Sequence, residues 1–187
     1  MEKDISNCIK TLSNSGVILY PTDTVWGLGC DALNEQAVEK VFDVKKRPKN
    51  KSLIVLLAEP RDVLQYVANP HPDIIDILEN FDRPTTVIFD GALEFPENVV
   101  GSDGSVAIRI TSDLFCKALI KRFRKPIIST SANISGEPTA PLFKDVSDRI
   151  KQGVDYIVEH RQQDEEIKAP SRLVKILEDG SLEILRA

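Results

Sequence analysis

The sequence predicts a single α/β domain built on a mixed β-sheet. Apolar residues at helical spacing alternate along the chain with short apolar runs of strand length. The run Leu53–Leu57 is continuously apolar, which is typical of a strand buried on both faces. Near the end, two such runs flank the turn-forming residues 178–181, and this pattern indicates an antiparallel hairpin. Helices interleaved with strands and closed by a hairpin favour a mixed sheet.

Helices and strands alternate through the first half of the chain. Helical spacing predicts one helix before Gly16 and a second that starts at Asn34 as its N-cap and is ended by Pro48. Pro60 opens a short helix, and another is expected before Pro84. The strands predicted in this half are residues 17–20 and 53–57.

Strands dominate the second half. Ser112 is predicted to cap a helix that turns Phe115 and Leu119 toward the core. The polar, acid-rich segment 161–169 is expected to be flexible. The predicted strands are residues 85–89, 106–110, 126–128, 156–158, 173–177 and 182–185.

Composition narrows the class of protein. The 187 residues are 42% hydrophobic and 28% charged, which is ordinary for a globular domain with one core. The net charge of −5 argues against coating nucleic acid by bulk charge. The sequence shows no signal peptide and no apolar run near the roughly 18 residues of a membrane helix. Three widely separated cysteines predict reduced thiols, so we expect a cytoplasmic protein. We also expect no membrane association and no structural metal.

The segment Pro21–Gly29 is the first candidate functional region. It follows a predicted strand and combines Thr22, Asp23 and Thr24 with two glycines that let a ligand approach the backbone. A hydroxyl- or carboxylate-stabilised turn with glycines for close packing explains the same residues. The segment alone leaves both interpretations open.

The second candidate region is the basic loop 45–51. It contains Lys45 and Arg47 in a chain that is acidic overall, and cations of this kind bind phosphates. Cations at the end of a helix also complement its dipole while remaining solvated.

The third region, Ser129–Gly136, follows a strand and carries four hydroxyls and an amide, which is more than a helix cap requires. Arg109 lies in the apolar strand 106–110, where a cation is costly unless it is paired. Its partner is either an internal carboxylate or an anionic ligand.

Together, Pro21–Gly29, Lys45–Pro48, Val106–Arg109 and Ser129–Gly136 resemble the YrdC-like family of threonylcarbamoyl-AMP synthases, in the single-domain TsaC form. The resemblance covers residues 16–186 and implies a twisted mixed sheet with a basic concave cleft. It implies that residues 1–187 form one YrdC-like domain without an added C-terminal domain.

The resemblance also implies a reaction and its residues. L-threonine, bicarbonate or CO₂, and ATP would give threonylcarbamoyl-AMP and pyrophosphate, for threonylcarbamoyladenosine modification of tRNA beside the anticodon. The implied catalytic residues are Lys45, Arg47, Ser131 and Asn133. The residues implied to bind substrate or ATP are Thr22, Thr24, Ser105, Arg109, Ser129, Ser171 and Arg186.

Mg²⁺ is expected to arrive through the ATP phosphates, without metal ligands from the protein. Proteins of tRNA modification are the expected recipients of the labile product. A module that binds tRNA or double-stranded RNA is the alternative, through basic residues 40–51 and 117–125. A YciO-like relative of uncertain activity is a further alternative.

Overall fold

The computed structural model describes residues 1–48 and 53–187. The helices are α1 Glu2–Ser13, α2 Glu35–Lys45, α3 Val63–Tyr66, α4 Ile74–Glu79, α5 Leu114–Phe123 and α6 Asp148–Gln152. The strands are β1 Ile18–Tyr20, β2 Gly27–Gly29, β3 Ile54–Leu57, β4 Thr85–Phe89, β5 Val106–Ile110, β6 Ile127–Ser131, β7 Tyr156–Ile157, β8 Arg172–Ile176 and β9 Leu182–Arg186.

Over the described residues, the strands form one nine-stranded sheet in the order β7-β1-β2-β6-β3-β5-β4-β8-β9. The pairs β1–β7, β3–β5 and β4–β8 are parallel, and the other neighbours are antiparallel. This arrangement confirms the predicted mixed α/β fold.

Alternation along the central strands gives the sheet two different faces. Ala107 of β5 lies opposite Ile54 of β3 and Ile88 of β4, and all three side chains border a cavity. The next residue along β5, Ile108, is 1% exposed and belongs to the hydrophobic core. One face of the sheet therefore holds the core, while the other supports an open site.

Two predicted helix boundaries are wrong. Asp113, rather than Ser112, caps α5, because its Oδ1 accepts a hydrogen bond of 2.9 Å from the backbone N–H of Cys116. Helix α2 ends before Pro48, because Lys46 adopts a left-handed conformation at φ 49°. The predicted cap Asn34 is confirmed, since its side chain accepts from the N–H of Ala37 at 3.0 Å.

Two predicted ligand loops are partly strand. Gly27–Gly29 forms β2, which pairs with both β1 and β6. The predicted strand 126–128 continues as β6 to Ser131, so three of the eight residues of the region Ser129–Gly136 that was expected to be a loop are extended and paired. Helix α6 was also not predicted from the sequence.

Gly29 is required because β2 lies tightly between its neighbours. A Cβ at this position would lie 2.7 Å from the carbonyl oxygen of Ile128 and 2.6 Å from the ring of Tyr20. The Tyr20 hydroxyl donates to that same carbonyl at 3.1 Å, which fixes the ring. Neither neighbour can move without disturbing the centre of the sheet.

Gly29→Ala should therefore lower the free energy of unfolding by about 1–3 kcal/mol through overpacking. Gly27→Ala is the matched control, because its Cβ would meet atoms only at ordinary contact distances of 3.4 Å and beyond. Urea denaturation of both variants measures the difference. Equal stability of the two variants would contradict the account of β2 packing.

Candidate active site

A cavity of about 430 Å³ lies on the open face of the sheet and collects most of the predicted site residues. Strands β2, β3, β4, β5, β6, β8 and β9 contribute to its wall. Eight of the eleven predicted residues line it, namely Thr24, Arg47, Ser105, Arg109, Ser129, Ser131, Ser171 and Arg186. Residues that are far apart in sequence thus share one wall.

The cavity is strongly positive for a chain of net charge −5. Arg47, Arg109 and Arg186 all line it, while none of the described residues on its wall is an Asp or Glu. The remaining polar wall consists of hydroxyls from serine and threonine. This confirms the basic cleft and suits an anionic ligand that also needs hydrogen bonds.

Thr22, Lys45 and Asn133 lie behind this wall and contact residues that form it. Thr22 Oγ1 lies 3.1 Å from Thr24 Oγ1 and donates to the carbonyl of Val25 at 2.7 Å. It also accepts from the N–H of Thr24 at 3.0 Å. Thr22 therefore fixes the turn that presents Thr24 to the cavity.

Lys45 is 1% exposed, so it is not the solvated end of a helix. Its Nζ donates to the backbone oxygens of Ser131 and Asn133, the latter at 2.8 Å, and to Asn133 Oδ1 at 3.4 Å. The carbonyl of Lys45 accepts from the N–H of Ser135 at 2.8 Å. Helix α2 is therefore fastened to the end of β6 through both the backbone and the side chain of this residue.

Burial and the positive charge of Arg47 lower the pKa of Lys45 to about 7. The three oxygens around Nζ act in the opposite direction, because they favour the ammonium form. Burial also lowers the pKa of Arg47. A guanidinium nevertheless stays protonated at neutral pH, so Arg47 supplies a permanent positive charge to the cavity.

Asn133 completes the turn after β6. Its Oδ1 accepts a 2.5 Å hydrogen bond from Ser131 Oγ, and its Nδ2 donates to the carbonyls of Ile134 and Glu137 at 3.1 and 2.8 Å. These bonds leave Asn133 to shape the loop while Ser131 reaches the cavity.

Arg109 has an internal carboxylate partner and also lines the cavity. Its Nη2 lies 3.1 Å from Asp23 Oδ1, and both side chains are almost completely buried. The two alternatives considered from the sequence, an internal partner or a ligand, are therefore compatible. From the sequence, Asp23 was recognised only as a member of the segment Pro21–Gly29, and its pairing with Arg109 was not predicted.

Neighbouring groups also hold the other predicted residues of the cavity wall, Ser105, Ser171 and Arg186. Ser171 Oγ lies 2.8 Å from Thr86 Oγ1, while the Ser171 carbonyl accepts from Arg186 Nη2 at 2.9 Å. On the other side, Ser105 Oγ donates to Asp103 Oδ1 at 2.6 Å. These contacts fix the positions of all three predicted residues, Ser105, Ser171 and Arg186.

Several lining residues were missed by sequence analysis: Ile54, Ile88, Ala107, Thr139 and Leu173. Four of them are apolar and lie on strands. Strand alternation places Ala107 on the same face of the sheet as Arg109. For residues of other strands, the face could be assigned only once the strand order and register were known. Trp26 of the segment Pro21–Gly29 does not line the cavity. It is 5% exposed and packs on Phe143 at a ring distance of 4.8 Å.

The segment 161–169, predicted to be flexible, contains no helix or strand but has a fixed start. Arg161 Nη1 lies 2.5 Å from Asp113 Oδ2, and its Nη2 donates to the carbonyl of Thr22 at 3.4 Å. The segment leads directly to Pro170 and Ser171 on the cavity wall. Its first residue is thus tied to the turn that carries Thr24.

Three basic residues of the run 117–125 are paired with acids from other elements. Lys121 contacts Glu59 and Arg122 contacts Glu2, while Lys125 lies 2.7 Å from Asp31. RNA binding by this face stays a prediction, which these ion pairs disfavour. In the other basic run, residues 49–51 lie outside the described residues.

Within residues 1–48 and 53–187, no group of three or more His, Cys, Asp or Glu side chains is placed to hold a metal ion. No helix in the described part of the chain has the length and apolarity needed to cross a membrane.

Comparison with known families shows which family this chain belongs to. The Sua5/YciO/YrdC family model, described as "Telomere recombination", matches residues 10–187. The chain belongs to this family. Curated members include a threonylcarbamoyl-AMP synthase of Pseudoalteromonas translucida, 34% identical over 84% of this chain and 86% of the relative. Another, from Xanthomonas oryzae pv. oryzae, is 33% identical over 97% of this chain and 96% of the relative.

Solved structures of Sua5/YciO/YrdC members share the fold. P. abyssi Sua5 complexed with L-threonine aligns over 100% of this chain with a TM-score of 0.86 and 24% identity. E. coli YciO aligns over the same share with a TM-score of 0.82 and 22% identity. This chain spans about half the length of that Sua5 chain and 89% of YciO. Since both branches match, the fold does not distinguish synthase from YciO, whereas the curated sequence relatives carry the synthase name.

Proposed function

We propose that this chain is a threonylcarbamoyl-AMP synthase and that the arginine-lined cavity is its active site. The observation that carries the proposal is the convergence of Arg47, Arg109 and Arg186 with hydroxyl groups in one cavity without a lining carboxylate. Curated relatives that share a third of their residues over most of the chain carry this name. The substrates are L-threonine, bicarbonate or CO₂, and ATP, and the product serves tRNA modification.

The reaction consists of two bond-forming steps. The threonine nitrogen attacks the carbon of CO₂, losing a proton and giving N-carboxythreonine. A carboxylate oxygen of this group then attacks the α-phosphorus of ATP, and the bond from that phosphorus to the β-phosphate oxygen breaks. Pyrophosphate leaves with its electron pair, so the protein must position reactants and neutralise charge rather than supply a nucleophile.

The cavity divides these tasks among its residues. Arg47 binds the phosphates that become pyrophosphate, and Arg109 binds the threonine carboxylate. Ser129 donates a hydrogen bond to the α-phosphate and carbamate region. Ser131 does the same when its hydroxyl proton turns from Asn133 Oδ1 to the ligand. Lys45 and Asn133 act from behind by holding the end of β6. Mg²⁺ would arrive with ATP and neutralise part of the phosphate charge alongside Arg47.

Incubation of the purified chain with ATP, L-threonine and bicarbonate tests the proposal. We expect pyrophosphate release that requires both co-substrates, together with threonylcarbamoyl-AMP detected by mass spectrometry. Replacing L-threonine by L-valine, which lacks the hydroxyl, is the control for side-chain recognition. ATP consumption without dependence on threonine or bicarbonate would exclude this function.

A further inference from the structure

Asp23 is a buried carboxylate that neither reacts nor contacts a reactant in the proposed reaction. It belongs to the turn between β1 and β2, whereas Arg109 lies on β5 in the middle of the sheet. Asp23 Oδ1 lies 3.1 Å from Arg109 Nη2, with 6% and 4% of the two side chains exposed. The contact is an ion pair rather than an aligned hydrogen bond, since Oδ1 has no hydrogen-bond partner among the described residues. Asp23 is not part of the cavity wall, so it does not itself meet a ligand there.

The second carboxylate oxygen of Asp23 is held by the segment that follows β5. Oδ2 accepts from the N–H of Ser112 at 3.2 Å and from the hydroxyls of Thr111 and Ser112 at 3.4 and 3.5 Å. The carboxylate is therefore fixed at one oxygen and directs the other toward Arg109. A flexible surface acid would not be placed in this way.

Arg109 needs such a partner because its sheet neighbours carry no charge. In the register of β3, β5 and β4, it lies opposite Leu56 and Thr86. A buried guanidinium without an anion nearby is strongly unfavourable. Asp23 supplies that anion from behind the cavity wall.

The ion pair leaves part of the guanidinium for a ligand. Arg109 Nε is buried and has no hydrogen-bond partner among the described residues, although the side chain borders the cavity. A buried donor without a partner is costly, and an incoming carboxylate would satisfy it. Asp23 thus holds one end of the guanidinium while another donor remains for the substrate.

We propose that Asp23 is a positioning residue for L-threonine, acting through Arg109. This inference rests on the proposed function and deepens it. Asp23→Asn keeps the shape and an acceptor oxygen but removes the charge that orients Arg109. We expect the KM for L-threonine to rise about tenfold or more, within the range of coupling measured for side chains in direct contact. The KM for ATP should change by less than about twofold.

Asp31→Asn is the matched control for loss of a buried carboxylate. Asp31 is 4% exposed at its side chain and pairs with Lys125 at 2.7 Å, but it is not on the cavity wall. It should lower thermal stability without changing the KM for L-threonine. Asp23→Glu, which restores the charge, should recover part of the threonine affinity lost in Asp23→Asn.

A double-mutant cycle with Arg109→Gln separates positioning from direct contact. If Asp23 acts through Arg109, Asp23→Asn should change the threonine KM by less than about twofold in the Arg109→Gln background. Fully additive effects, or equal increases in the KM for ATP and for L-threonine, would overturn the proposal. Wild-type chain that forms no threonylcarbamoyl-AMP would instead refute the proposed function, whatever the variants do. Calorimetric titration of L-threonine into each variant provides a readout independent of turnover.

Discussion

Arg47→Ala should lower kcat/KM for ATP about 100-fold or more while leaving the fold intact. Arg47 is half-buried at the cavity wall, just beyond the end of α2, and its guanidinium is a permanent cation. Negative charge builds up on pyrophosphate as the bond to the α-phosphorus breaks. Loss of a cation placed for that charge affects the transition state more than the ground state, so kcat should fall together with kcat/KM.

Lys46→Ala is the control for Arg47→Ala. Lys46 is the adjacent residue, carries the same charge and is exposed, but it does not line the cavity. It should retain nearly all activity, and the left-handed conformation at φ 49° strains alanine no more than lysine, because both carry a Cβ. Steady-state kinetics over a range of ATP concentrations gives both constants. Equal kinetic losses in the two variants would show that the loop acts only through general positive charge.

The elements that could be predicted are those whose local pattern matches their final surroundings. Helix α2 has its polar cap at Asn34 and apolar residues on one face, strand β3 is apolar throughout, and β5 is apolar except for Arg109. Strand β2 could not be predicted, because Gly27-Leu28-Gly29 has the composition of a turn. It becomes a strand only because β1 and β6 lie close enough on either side to exclude a Cβ at Gly29.

The sequence predicted many residues that lie at the cavity, but not which of them line it and which lie behind its wall. Hydroxyls and cations in four separate segments indicated an anion site, and six of those residues line the cavity, namely Thr24, Arg47, Arg109, Ser129, Thr130 and Ser131. Ser105, Ser171 and Arg186 were implied only by the family resemblance. Nothing in the sequence distinguishes Lys45, buried behind the wall, from Arg47, half-buried on the wall, because the two lie on one basic run. Their difference follows from the direction in which α2 packs against β6. Likewise, the pairing of Asp23 with Arg109 joins residues 86 positions apart and depends on tertiary packing.

Lys45 carries the second large expected effect. Because its Nζ holds the backbone at Ser131 and Asn133, Lys45→Met should release the end of β6 and displace Ser131 Oγ from the α-phosphate. A small displacement of a group that positions a reactant can cost about 100-fold in rate. We therefore expect kcat/KM for ATP to fall by about that factor without any loss of a lining side chain.

The pH dependence of stability tests the same buried amine independently of catalysis. The folded pKa of about 7 lies below the ordinary value of 10.5, so the unfolded chain binds more protons between these two values. Stability contributed by Lys45 must then rise with pH across that window, by at most about 1.4 kcal/mol per pH unit. Below pH 7 both states are protonated, and the cost of burying the charge is constant.

Lys45→Met removes this titration, so the free energy of unfolding of wild type minus that of the variant should increase between pH 7 and pH 9. Urea denaturation of both proteins at several pH values in this range gives the difference directly, and other titrating groups cancel because the two chains share them. A difference independent of pH would show that the three oxygens around Nζ keep the amine charged in the folded state. In that case the ammonium would be a permanent part of the β6 anchor. A rising difference would instead show that the folded chain holds Lys45 as a neutral amine at alkaline pH. Wild-type kcat/KM measured at pH 9 would then show how well the neutral amine anchors β6.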